Sequence, residues 1–138
     1  GEYCMANTGR NAIKGDGDPI DIVVLTEKTI HHGDLLVTAK PIGGLRMIDG
    51  NEADDKIIAV LNNDFVYGDF NSLKDVPENI IHRLRHYFLT YKDIPGEARH
   101  TVIEAVYDRD EALEVINAAI EDYSNRFDNL GKMLVLDD

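Results

Sequence analysis

The sequence is poor in positive charge. Lysine and arginine number 14 against 26 aspartates and glutamates, so 14 − 26 gives a net charge of −12 over 138 residues. So acidic a chain lacks the clustered positive charge that nonspecific nucleic-acid binding or docking on an anionic membrane requires. It holds one cysteine, Cys4, so no internal disulfide can form, and the composition suits a reducing cytoplasm. No apolar run approaches the roughly 20 residues of a membrane-spanning helix, and no signal-peptide core is visible. Internal repeats, low-complexity tracts and long linkers are also missing. The first residue is Gly1 rather than methionine, so further residues are expected ahead of it.

What is present suffices for one domain. Hydrophobic residues make up 43% and charged residues 29%, which excludes wholesale disorder and fits a single domain spanning residues 1–138. Residues 1–15 are polar and without period, and read as a leading loop. Residues 19–26 (PIDIVVLT) are short and β-branched and read as a buried strand. Gly33-Asp34 marks a turn. Residues 35–39 and 42–48 read as strand, interrupted near Pro41 and at Gly43-Gly44, a glycine pair that suggests a bend or bulge. Asp49-Gly50-Asn51 is a turn, and residues 56–61 are another strand.

The second half changes period. Ile80, Ile81, Leu84, Tyr87, Phe88 and Tyr91 recur at three and four, which predicts a helix with Pro77 and Glu78 in its first turn. Residues 101–106 form one more strand. Asp108-Arg109-Asp110-Glu111 has the D-x-x-E spacing of a capping-box start, and Leu113, Ile116, Ile120, Tyr123 and Phe127 give a second amphipathic helix. Residues 128–138 read as a tail. Strands first and helices later predict an α+β fold, a small barrel or curved sheet with helices packed on it.

Three elements carry candidate chemistry. Asp16, Asp18 and Asp21 place three carboxylates within six residues at the start of an apolar strand. Like charges so close repel unless cations intervene, and oxygen ligands suit a hard cation such as Mg²⁺ or Ca²⁺. The second is Asp49 with Asp54, Asp55 and Lys56; in an extended chain Asp54, Lys56, Ile58 and Val60 share one face. A carboxylate for metal two residues from an ammonium for phosphate oxygen suits phosphate chemistry. The third is Tyr91-Lys92 at the end of the first helix, where a phenol and an ammonium can both donate to an anion. Each also has an ordinary reading: acidic surface turns for the first two, and core packing with a helix-terminal charge for the third.

Other motifs fail. Counted from Asp16 as an EF-hand loop, the sixth position is Asp21 where glycine is needed, and the fifth is Ile20, with no side-chain oxygen. His82 and His86 are one turn apart, but HRLRH lacks the glutamate of H-E-x-x-H, and Gly43-Gly44 is followed by no G-K-[ST]. His31-His32 precedes the Gly-Asp turn and reads as a solvated turn rather than an adventitious metal site, His100 matches no ligand pattern, and Cys4 has none of the setting of a catalytic thiol.

The three elements together resemble the soluble family I inorganic pyrophosphatases. The family signature, Asp-(small or polar)-Asp-Pro-(apolar)-Asp-(apolar), is fitted at every position by DGDPIDI, residues 16–22. GDLL at 33–36, KPIGGLRMIDGNEADDKIIAV at 40–60 and HYFLTYKD at 86–93 are also similar, so the likeness covers residues 15–127 in family order. The resemblance implies an OB-like five-stranded β-barrel flanked by helices, and a soluble, cytoplasmic homo-oligomer. It implies Mg²⁺, several ions per site with Mn²⁺ as a substitute, held by Asp16, Asp21, Asp49 and Asp54. Asp18 then activates the attacking water, and Lys56, Tyr91 and Lys92 hold the phosphates of pyrophosphate. The family's earlier strands and their Glu, Lys, Arg and Tyr have no match here. The chain is therefore expected to be the C-terminal two-thirds of such a domain, with an incomplete barrel. The rival expectation is a non-catalytic metal-binding or assembly module derived from the same fold.

Overall fold

In a computed structural model, the described residues are Gly15, 17–29, 36–91, 95–96 and 100–136, with side chains as far as Asp128. Asp16 and Lys92, two of the expected site residues, lie outside them, as does nearly all of the leading loop.

Five strands and two helices follow in the order β1 (Asp21–Leu25), β2 (Ala39–Asp49), β3 (Glu52–Ala53), β4 (Lys56–Leu61), α1 (Glu78–Thr90), β5 (Thr101–Asp108) and α2 (Arg109–Leu136). β2 is the organising strand. Its first half pairs antiparallel with β4, its tip pairs with β3, and it also pairs antiparallel with β5 from Gly43 to Asp49. β1 adds to β4 in parallel, from Asp21 opposite Lys56 to Leu25 opposite Val60. The sheet is mixed and is not closed into a barrel among the described residues.

The two segments expected at 35–39 and 42–48 become one strand that starts at Ala39, and its register shifts between Pro41 and Gly43. The break seen in the sequence is thus a bulge inside one long strand. Gly43 and Gly44 permit close approach there. A Cβ on Gly44 would stand 2.5 Å from the Tyr107 ring, and one on Gly43 would stand 2.3 Å from Leu73 Cγ and 2.6 Å from the Tyr107 carbonyl oxygen. At the far end, Gly50 and Asn51 both have positive φ, 59° and 69°. That is the type I′ geometry of a two-residue hairpin, and it turns β2 directly into β3.

β4 divides the core. Ile58 and Val60 join Ile42, Met47, Val76 and Phe88, with Ile80, Ile81 and Leu84 of α1 against them. Ile57 joins Tyr107, Ala112 and Val115 on the α2 side. Alternation along one short strand therefore docks the two helices to separate clusters.

Aspartates staple the loops. Asp64 accepts from Thr26 Oγ1 and Glu27 N (both 2.8 Å) on one oxygen, and from Val66 N (3.0 Å) and Tyr67 N (2.8 Å) on the other. The Tyr67 amide first, then the other donors, hold its pKa down at about 2 against the opposing effect of burial. Asp108 was expected to cap α2. It accepts from Arg109 N at 2.9 Å, but its carboxylate also takes Ser72 Oγ (2.8 Å) and Leu73 N (3.1 Å), tying down the 3-10 turn Leu73–Asp75. Glu111, the other member of the expected box, reaches Arg46 on β2. The reciprocal capping box forms instead between Ser72 and Asp75. α2 keeps helical backbone through Leu136, so most of the segment read as a tail continues the helix.

The close contact at Gly44 generates a prediction. Gly44→Ala puts a methyl group into the Tyr107 ring, and overpacking of this kind costs about 1–3 kcal/mol. Urea unfolding should show a lower midpoint with an unchanged slope; an unchanged midpoint would mean that Tyr107 moves aside freely.

Candidate active site

The site grows from the parallel register of β1 and β4. Because Asp21 pairs with Lys56, their side chains lie together on one face of the sheet. Lys56 Nζ donates to Asp21 Oδ2 at 2.5 Å and to Asp54 Oδ1 at 2.9 Å. The Lys56 side chain is 1% exposed, and its ammonium stands 5.7 Å from the centre of the Phe88 ring. Burial is the largest single influence on this lysine and pushes its pKa down. The hydrogen bonds and charges of Asp21 and Asp54 together outweigh it, so the pKa is raised and the group stays cationic.

Access comes from the Asp21 side. The Asp21 carboxylate is 61% exposed, whereas that of Asp54 is buried. Asp21 and Val23 of β1 line a cleft of about 440 Å³ with Tyr87, Phe88 and Tyr91 from the α1 side. Tyr91 caps α1, its N–H donating to the Tyr87 carbonyl at 2.8 Å. Its ring stacks on Tyr87 (centroids 5.2 Å apart) and meets Phe88 edge-on, which fixes the ring in the cleft wall.

The structure therefore brings Asp21, Asp54, Lys56 and Tyr91 to one place. Asp18 is exposed, three residues ahead of β1. Asp49 stands at the tip of β2, where Thr101 Oγ1 donates to its Oδ1 at 3.4 Å. Among the described residues no three His, Cys, Asp or Glu side chains gather closely enough to hold a metal ion. Asp21 and Asp54 do supply the hard oxygen donors that a divalent cation such as Mg²⁺ takes, so the donor chemistry fits.

The profile of the inorganic pyrophosphatase family matches residues 4–124. The chain belongs to that family. The inorganic pyrophosphatase of Chlamydia muridarum is 50% identical over 132 residues, which cover 92% of this chain and 63% of the relative. That of Halalkalibacterium halodurans is 37% identical over 113 residues, 82% of this chain and 68% of the relative. The crystal structure of inorganic pyrophosphatase from Thermus thermophilus shares the fold with a TM-score of 0.71 at 32% identity, covering 79% of this chain and 63% of that one. The chain thus spans 63% of the length of the Chlamydia relative. Family membership agrees with the resemblance read from DGDPIDI and the later segments.

A second polar group, not foreseen in the sequence, lies behind the site. Asp55 is 1% exposed, and Tyr107 Oη donates to its Oδ2 at 2.9 Å. Burial pushes the Asp55 carboxyl up to about 6, against the opposing pull of Tyr107, the Met47 backbone and Arg46. Burial likewise pushes the Tyr107 phenol up, and the Asp55 charge adds to it. The signal was available: in an extended chain Asp55 must face opposite to Asp54 and Lys56, towards the side of Ile57.

The sign of the Asp55 effect follows by linkage. Its folded pKa lies above the ordinary 3.8, so its contribution to stability is complete below 3.8 and is lost as pH rises through about 6. Asp55→Asn keeps an acceptor for Tyr107 and removes the buried charge. Relative to the parent, the variant should gain on the order of 2–3 kcal/mol between pH about 4 and about 8. Thermal melts across that range check this; a pH-independent difference would refute it.

Proposed function

We propose that this chain carries the metal- and phosphate-binding face of an Mg²⁺-dependent inorganic pyrophosphatase. The reaction is hydrolysis of pyrophosphate to two orthophosphates by an activated water. The observation that carries the reading is the buried Lys56 ammonium, gripped by Asp21 and Asp54 beside the cleft that Tyr91 lines. Family membership and the relatives' names support it.

The charge balance explains why a metal is needed. Two carboxylates and one ammonium leave one net negative charge, which repels a polyanion. Mg²⁺, or Mn²⁺ in its place, would supply the positive charge that reverses the local field and the Lewis acidity that activates a water. Asp16, Asp21, Asp49 and Asp54 would hold these ions. Asp18, exposed ahead of β1, takes the water's proton. Lys56, Tyr91 and Lys92 bind the equatorial and leaving oxygens as charge develops on them, and in-line attack requires no covalent intermediate on the protein. The protein acts in the cytoplasm as a homo-oligomer, without nucleic-acid or membrane partners. Among the described residues no helix is long and apolar enough to cross a membrane.

Two substitutions in the whole enzyme test the assignment. Asp18→Asn keeps shape and one oxygen but cannot take a proton, so phosphate release at saturating Mg²⁺ should fall by about 10²–10⁴-fold. Asp21→Asn should instead raise the Mg²⁺ concentration needed for half-maximal rate. Full recovery of both variants at high Mg²⁺ would make Asp18 a metal ligand and remove the base. A parent enzyme that releases no phosphate from pyrophosphate would favour the non-catalytic module.

Binding should also stabilise the fold, because added cations relieve the repulsion among the aspartates. Millimolar Mg²⁺ should raise the melting temperature of the chain above its value in chelator, and an equal value in both would count against a metal site on this chain.

A further inference from the structure

Asp54 and Asp55 stand outside the ladder, in the short link between β3 and β4. The link nevertheless has to hold Asp54 and Lys56 in place, one residue to either side of Asp55. Within the sheet it is held by the Asp54 N–H, which donates to the Met47 carbonyl at 2.9 Å. From the face opposite the site it is held by the hydroxyl of Tyr107 on Asp55 Oδ2 at 2.9 Å. Tyr107 is the side chain that donates to this carboxylate, beside the pull of the Met47 backbone, so the tyrosine hydroxyl is a large part of what keeps Asp55 in the core. Tyr107 is itself immobilised. It is 5% exposed, its ring lies against Gly44, and it packs with Ile57, Ala112 and Val115.

We infer that Tyr107 and Asp55 form a positioning pair that sets the geometry of Asp54 and Lys56 from the opposite face of the sheet. The inference rests on the proposed roles of Asp54 and Lys56. Successive side chains on an extended backbone point to opposite faces, so turning residue 55 turns its two neighbours with it. An Asp55 carboxylate deprived of its donor is drawn towards water, and that motion withdraws Asp54 from the Lys56 ammonium. The pair touches neither substrate nor metal; it acts only through residues 54 and 56.

The test reads Lys56 directly, independently of phosphate release, so failure of the proposed activity and failure of this inference are separable. The ¹H–¹⁵N signal of the Lys56 ammonium is followed at one fixed pH in the parent, in Tyr107→Phe, in Asp55→Asn and in the double variant Asp55→Leu/Tyr107→Phe. In Tyr107→Phe the signal should shift and its hydrogen exchange accelerate by about tenfold or more. Asp55→Asn, which keeps an acceptor for the tyrosine, should preserve both. The double variant removes both polar partners and so should regain much of the melting temperature. It should not regain the Lys56 signal, whereas a purely structural pair would give back both. Should Tyr107→Phe not fold, the double variant carries the comparison. A parent-like Lys56 shift and exchange rate in either tyrosine variant overturns the inference.

Discussion

One buried ammonium constrains the site. Lys56 sits in the first position of β4 with almost no exposure, and a cation there is tolerable only while carboxylates face it. Asp54 comes two residues earlier on the same face. Asp21 is delivered by the parallel pairing of β1 with β4, so the position of this ion pair is a property of strand register. A slip of one residue would turn Asp21 to the opposite face and leave the lysine with half its compensation.

Register in turn depends on the apolar parts of the same strands. Ile58 and Val60 follow Lys56 into the cluster under α1, and Ile57 faces the cluster under α2. β4 is thus pinned by packing on both faces over its length, while its charged end meets Asp21, the β1 carboxylate that lines the cleft. Tyr91 belongs to this arrangement through α1: Phe88 lies near the Lys56 ammonium and touches Tyr91, so a single helix covers the core and presents the phenol. The Asp55–Tyr107 bond repeats the pattern on the reverse side, a polar contact held by an apolar frame.

Much of this was legible in the chain. The run KIIAVL announces β4 to the residue, the three–four spacing from Ile80 to Tyr91 announces α1, and DGDPIDI by itself marks the family. The shared face of Asp54 and Lys56 followed from strand alternation alone. Other features depend on partners distant in sequence, which local pattern does not encode. Asp55 resembles one more surface acid until Tyr107, 52 residues later, is brought to it. Asp64 looks like a loop aspartate, yet it joins its own turn to the end of β1. The D-x-x-E at Asp108 signalled a helix start correctly, but the two acids found other partners in Ser72 and Arg46. The glycine pair indicated a bulge, though not that β2 continues through it. The OB-like barrel implied by the resemblance needs strands beyond those described here.

The claim that Lys56 and Asp54 act as one buried unit is tested most directly by a double-mutant cycle on stability, using Lys56→Met, Asp54→Asn and the pair together. Lys56→Met leaves the buried Asp54 carboxylate without its ammonium, and Asp54→Asn leaves Lys56 with Asp21 as its remaining charged partner, so the account predicts that the double variant loses less than the sum of the two. The expected coupling is on the order of 1.5–3 kcal/mol, measured by denaturant unfolding. Additive losses, with coupling below about 0.5 kcal/mol, would contradict it and would mean that Lys56 is held by Asp21 independently of Asp54.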